Sequence, residues 1–361
     1  MTPRERVLLA LNHERPDRVP RDFWAEQPAL QRLYAHLRIS DEETLLRRLG
    51  VDFRHLNAVE PPHHELAPGV WQNYWGERFV FNQTPWGPMR EDLPGALVDA
   101  ASDCRAGACT PPGATDDDIP EAFLSFPWPS PDQFDYSLLP AQVREHEQYA
   151  LIYGFADVWQ RAALVRGWEQ MFLDMATRPD LVHFLCRKFV DFYKEDYTRA
   201  MEQSGGRIDL FLLLSDLGSQ HGPLMSLPMF RALVAPYLGE MTAHIHSLGA
   251  RVLYHSCGAI AAFIPDLIAL GVDVLDPLQP ANEEMQPERL QEAFGGQVVF
   301  HGGIDMQTVL PHGTPQEVQA EARRYCDLLG QNGGYILAPT HLFQPDVPPE
   351  NIIAMYAEPD G

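Results

Sequence analysis

The second half of the chain alternates short apolar runs with longer amphipathic ones. DLFLLLSD (209–216), RVLYHS (251–256), VDVLDP (272–277), QVVFHGG (297–303) and GYILAP (334–339) are β-rich or apolar and too short for helices. Each runs out in Gly, Pro, Asp or His. Between them lie segments with helical punctuation. SLPMFRALVAPYLGEMTAHIHSLG starts at Ser226 and stops at Gly249, and IAAFIPDLIALG stops at Gly271. TPQEVQAEARRYCDLLG opens with Thr314, Pro315 and Glu317, a capping box with proline at the first helical position. Three further strands fit upstream, at RVPRDFW (18–24), VDFRHLN (51–57) and YALIYGF (149–155). A helix, SDEETLLRRLG (40–50), joins the first two and carries a second capping box at Ser40 and Glu43.

Helices alternating with buried strands predict βαβ units and a parallel sheet. Eight such strands close into an α/β fold of the (β/α)8 TIM-barrel type, with the active site at the strand C-termini. An open doubly wound sheet is the rival arrangement of the same units. The rhythm breaks between strands two and three. Residues 58–147 hold many prolines, including pairs at 61–62 and 111–112 and the run FPWPSPDQFDY (126–136), together with Trp71, Trp75, Trp86 and Trp128. A stretch this long carries function or structure of its own. QNYWGERFVFNQTPWGPMRED (72–92) predicts one or two hairpins. The insertion is read as a cap over the barrel mouth or an oligomer contact, against the duller role of plugging the barrel bottom.

Composition narrows the partners. The 361 residues suit one barrel domain over 1–361 with an insertion, and 45% hydrophobic with 21% charged residues allows a large core. Fifty acidic against 27 basic residues give a net charge of −23, which speaks against nucleic acid and anionic membranes as partners. Five cysteines, Cys104, Cys109, Cys186, Cys257 and Cys326, do not resemble a secreted disulfide framework. Cys104 and Cys109 lack a second pair and are not read as a zinc site. No signal-type segment and no 18-residue apolar run is present, so a reduced cytoplasm is the expected location. A small-molecule substrate and a homo-oligomer are compatible with all of this.

The candidate chemistry sits at the predicted strand ends. Strand two supplies Asn57; strand four Ser215, Asp216 and, shortly after, Gln220. Strand five supplies His255 and Cys257, strand six Asp276 and Gln279, strand seven Gly302, Gly303 and Asp305, and strand eight Thr340 and His341. His255 and Cys257 are two apart, so in an extended chain both side chains point the same way. An imidazole and a thiolate converging at a barrel mouth suit Zn²⁺, and His341 is a candidate third ligand that leaves one position open. The rival reading is a packed histidine beside an inert buried cysteine. Asp216 is read as a substrate-orienting or ligand-supporting group, or else as a backbone cap. Asn57 and Gln279 are candidate substrate contacts or hydrogen bonds of the rim, Asp305 a fainter candidate. His301, inside strand seven, is read as a satisfied core histidine.

These pieces resemble the uroporphyrinogen decarboxylase superfamily, and within it the corrinoid and thiol methyltransferase branch more closely than the decarboxylases themselves. The resemblance is carried by RVLYHSCGAIAAFIPDLIALGVDVLDPLQP (251–280), VVFHGGIDMQTVLPHGTPQEV (298–318) and GGYILAPTHLFQPDVPPENIIAMY (333–356). LSDLGSQHGPLMSLPMFRALVAPYL (214–238) and WPSPDQFDYS (128–137) support it. It implies a (β/α)8 barrel and zinc held by the His255-x-Cys257 pair and a residue after strand eight. That position is a cysteine in the methyltransferase branch and His341 here, which leaves the site one thiolate poorer and a zinc-bound thiol a weaker nucleophile. The decarboxylases carry a histidine there. Their paired arginines, however, are missing from VPRDFWAEQPAL (19–30), and their catalytic aspartate falls on Asn57. The resemblance therefore implies a zinc-dependent methyltransferase-like enzyme. The methyl group would pass between a methyl-corrinoid on a partner protein, or a small methylated donor, and a thiol or pterin acceptor. A metal-independent decarboxylase or lyase with His341 as acid, and a non-catalytic corrinoid- or tetrapyrrole-binding module, are the alternatives.

Overall fold

Along each central strand, successive residues go to opposite faces and into two separate apolar clusters. Leu210 and Leu212 join Phe53, Ala150, Ile152, Leu253, Val274, Val299 and Ile336 on the concave side. Phe211 and Leu213 join the larger cluster under the helices. The strands are buried on both faces and hence read as continuous apolar runs. A computed structural model describes residues 1–85, 87–98 and 119–357. Trp86, Cys104 and Cys109, singled out in the sequence, lie outside the described residues.

The described strands, in chain order, are β1 (Phe53–Leu56), β2 (His64–Ala67), β3 (Val70–Gln72), β4 (Arg78–Thr84), β5 (Gly87–Leu93), β6 (Ala150–Asp157), β7 (Leu210–Leu214), β8 (Arg251–His255), β9 (Val274–Asp276), β10 (Val299–His301) and β11 (Tyr335–Ile336). Seven of them form one curled parallel sheet in the order β1-β6-β7-β8-β9-β10-β11. The segment predicted as the first strand lies between its two edges. Asp22 N donates to Leu337 O, and Arg21 O accepts from Asp52 N. It pairs through isolated bridges at Arg21 and Ala25 only. The concave side is filled from one end by Val7 and Leu11 of the helix Pro3–Leu11.

The stretch between β1 and β6 contains a four-stranded antiparallel sheet, β2-β3-β4-β5, and β4 and β5 form the hairpin expected within 72–92. Trp75 fastens this part to the long helix Pro179–Gln203, packing on Phe189, Phe192 and Tyr193 at ring separations of 5.0, 4.5 and 5.5 Å.

Two local expectations change. The helix Glu42–Leu49 is capped by Asp41, whose carboxylate accepts from Thr44 N, and the Ser40–Glu43 box does not form. Glu43 is drawn away by the guanidinium groups of Arg47 and Arg54. The segment 226–249 is two helices, Leu227–Leu233 and Ala235–Ser247. Pro236 has no N–H for the Ala232 carbonyl, so the ladder is interrupted there. The Thr314–Glu317 box is present as expected.

Candidate metal centre and cavity

The C-terminal strand ends gather the polar residues. His255 is the last residue of β8, Asp276 of β9, His301 of β10 and Asp157 of β6, while His341 follows β11. His255 and Cys257 stay on one side because Gly258 turns the chain at φ +90°. A β-carbon on Gly258 would lie 2.4 Å from the Gly218 carbonyl carbon, so the loops after β7 and β8 can touch only with glycine here.

Cys257 Sγ lies 3.3 Å from His255 Nε2. Together with the His341 imidazole these donor atoms are all within 4.8 Å of one another. The edge of a zinc tetrahedron with such ligands is roughly 3.5 Å, so the donor set fits zinc in kind and near its size. The other ring nitrogen of His255, Nδ1, donates to Asp276 Oδ2. That bond fixes the ring and turns Nε2 towards Cys257 and His341, where a metal would take the place of the Nε2 proton. Asp216 holds the loop of Cys257, accepting from Cys257 N at 2.8 Å. Gln279 Oε1 accepts from Gly258 N in the same loop.

Behind His255 runs a buried chain of charges that sequence reasoning did not assemble. His301 donates from Nδ1 to Asp276 Oδ1 (2.5 Å) and from Nε2 to Asp22 Oδ2 (3.1 Å). Trp24 packs near-parallel to His255, with ring centroids 6.4 Å apart, and donates from Nε1 to His55 Nε2 at 2.7 Å. Burial alone would hold both imidazoles neutral, but Asp276 outweighs it: His255 is raised well above the usual histidine range and His301 to about 9. Burial pushes the two carboxyls up in turn, and the facing imidazoles more than reverse this, holding Asp276 at about 2 and Asp22 below its ordinary value. His301 is thus a satisfied core histidine, as expected, but its partners are carboxylates. His341 is shifted down, first by burial and then by the positive His255, which leaves a lone pair free for a metal.

A cavity of about 760 Å³ opens in front of this cluster. His255, His341, Asp216 and Asn57 are on its wall, as are Tyr74, Glu77 and Arg90 from the stretch between β1 and β6. Arg161 binds Glu77 at 2.7 Å, and Arg90 reaches the same carboxylate at 3.1 Å. Asp157, only 2% exposed, accepts from Ser215 Oγ and Gln160 N, and burial raises it to about 7 against the pull of Arg161. Two other predicted site residues sit elsewhere. Gln220 is exposed and off the cavity wall, and Asp305 caps the turn at Gln307 and Thr308. Asn57 is tied through its backbone to Gln142. Asp157 was passed over because β6 runs two residues beyond the predicted strand, through a bulge at Gly154–Phe155.

A curled parallel sheet with a His/Cys/His cluster at its strand ends and a cavity before it is the outline of an α/β-barrel enzyme site. The uroporphyrinogen decarboxylase (URO-D) family model matches residues 145–358, more than half of the chain, and the protein belongs to this family. Among solved structures it is similar to a methyltransferase from Methanosarcina mazei, at 16% identity and a TM-score of 0.66, over 98% of this chain and 97% of that one. That likeness is one of fold and covers nearly all of the chain. A second, protein SMc04130 from Sinorhizobium meliloti 1021, has 12% identity and a TM-score of 0.31 over 60% of this chain and 89% of that one, too distant to inform the fold. No curated protein matches the sequence. Among the described residues no helix is long and apolar enough to cross a membrane.

Proposed function

We propose that the protein is a zinc-dependent methyltransferase on a single (β/α)8 barrel, with the segment 20–25 as its eighth strand position and the stretch 58–147 as a cap. The methyl group passes between a methyl-corrinoid on a partner protein, or a small methylated donor, and a thiol or pterin acceptor. The observation that carries this reading is the donor triad His255, Cys257 and His341, whose two imidazoles are on the cavity wall, with Asp276 behind His255 Nδ1. The likeness in fold to a methanogen methyltransferase supports it.

Zinc in this triad would supply a Lewis acid that lowers the acceptor's pKa and leaves it a nucleophile near neutral pH. The chain's own residues do the rest. Asp276 keeps the Nδ1 proton on His255, so the ring meets the metal side with Nε2 alone. Asp216 fixes the peptide N–H of Cys257 and with it the direction of the thiolate. The walls hold donor and acceptor in line, so that the new bond to the methyl carbon forms as the donor's bond breaks, its electron pair staying on the donor. His341 in place of a third-ligand cysteine makes a less electron-rich centre and a weaker thiolate nucleophile. Metal analysis of protein purified without added zinc tests the reading. About one equivalent is expected, lost in His255→Ala and Cys257→Ala. Less than about a tenth of an equivalent, unchanged by either substitution, would refute it.

A further inference from the structure

The part of the cavity wall away from the metal triad has its own chemistry. Six carboxyl side chains line the cavity, Glu60, Glu77, Asp92, Asp157, Asp196 and Asp216, against two guanidinium groups, Arg90 and Arg161. The two arginines are already matched. Arg161 pairs with Glu77, and Arg90 with Glu77 and Asp92. Glu60 and Asp196 have no such cation among the ion pairs of the described residues.

Asp196 is the informative one. It is 6% exposed, on the helix Pro179–Gln203, and it lines the cavity. Tyr136 and Tyr153 both donate to its Oδ1, at 2.7 and 3.0 Å, and no described residue donates to Oδ2. One oxygen is doubly satisfied within the protein, and the other is left to whatever group the cavity receives. Aromatic walls stand beside it. Phe134 meets Tyr74 edge to face at 5.1 Å and 85°, and meets Phe192 at 5.5 Å and 62°. All three rings are on the cavity wall and form a corner. Ring faces joined to an open carboxylate select a weakly hydrated cation, for which ammonium groups carrying methyls are the fitting class. An anion would meet Arg161 only after displacing Glu77.

We propose that the substrate carries a methylated ammonium group, and that Asp196 and Glu60, with the corner of Tyr74, Phe134 and Phe192, hold it in the cavity that also receives the metal triad. The assignment deepens the methyltransferase reading and rests on it for the word substrate, but not for the binding itself. Burial brings Asp196 to about 6, so the carboxylate is ionised at neutral pH.

Isothermal titration of the full-length protein at pH 7.5 with choline and with its neutral carbon isostere, 3,3-dimethylbutan-1-ol, tests it. Choline is expected to bind at least about tenfold more tightly, and Asp196→Asn to lose most of that preference. Glu60→Gln, at an exposed position, gives the same direction with a smaller loss and serves if Asp196→Asn does not fold. The His255→Ala protein, with its triad broken, is expected to keep the preference. A failed methyltransferase reading therefore shows in the metal analysis and not here. Equal binding of the two probes, binding of neither, or a preference unchanged in both acidic-site variants overturns the proposal.

Discussion

Replacing His301 by glutamine removes the cation that separates two buried carboxylates. His301 is 2% exposed and bridges Asp276 and Asp22, which are 3% and 0% exposed. Its folded pKa of about 9 lies above the ordinary 6.5. The sign follows directly: the folded state holds this proton more tightly than the unfolded chain does. The stabilisation is fully present below pH 6.5 and is lost as the pH rises through 9. A rise of that size is worth about 3 kcal/mol of folding free energy. The whole loss on substitution should approach the roughly 3–5 kcal/mol typical of breaking one partner from a buried ion pair. For 361 residues that is a fall of about 5 °C in Tm. Urea unfolding of wild type and His301→Gln at half-unit steps from pH 6 to pH 10 measures it. The gap between the two should shrink by about 3 kcal/mol across that range. A gap that stays constant, or that widens with pH, would show that His301 is not held protonated by its carboxylates and would refute the argument.

Other outcomes follow from the same geometry. Asp276→Asn takes away the acceptor behind His255 Nδ1, and zinc affinity in chelator competition should fall by about 10- to 100-fold with the triad intact. Asp157, raised to about 7 by burial, is neutral in the folded state at low pH and costs stability once ionised. Asp157→Asn should therefore gain on wild type by up to about 4 kcal/mol as the pH rises from 4 to 8, read by chemical denaturation. Gly258→Ala places a β-carbon against the Gly218 backbone at a left-handed φ, and should lower Tm and metal content together. Leu212→Ala, emptying a buried site on the concave face, should cost about 2–5 kcal/mol while metal stoichiometry stays unchanged.

The parallel strands were legible because each is buried on both faces and so appears as an apolar run closed by a turn residue. Every predicted run from 51–57 onward overlaps a strand of the curled sheet. The first, 18–24, is bonded to both edges but pairs too briefly to count as a regular strand. Local rules failed where a distant partner competed: Glu43 left its capping box for Arg54, a residue brought near only by β1. The His255–Cys257 pair was legible because the strand period of two is a local property. The buried chain of Asp276, His301 and Asp22 behind it was not. Asp276 was visible as a strand end, but Asp22 lay unremarked in RDFW, 279 residues from the His301 it binds.

The sequence by itself determined the alternation of strands and helices, the side-by-side delivery of His255 and Cys257, and the choice of histidine at position 341. Each is set by residue type and short-range periodicity. Only the tertiary structure decided what those groups face. Curling the sheet brought the ends of β8, β9 and β10 beside the 20–25 segment, which turned two histidines and two aspartates into one buried charge network. Packing the helix Pro179–Gln203 under the stretch between β1 and β6 then left one oxygen of Asp196 open. Burial and charge pairing act through space, and no pattern along the chain records which strand ends will meet.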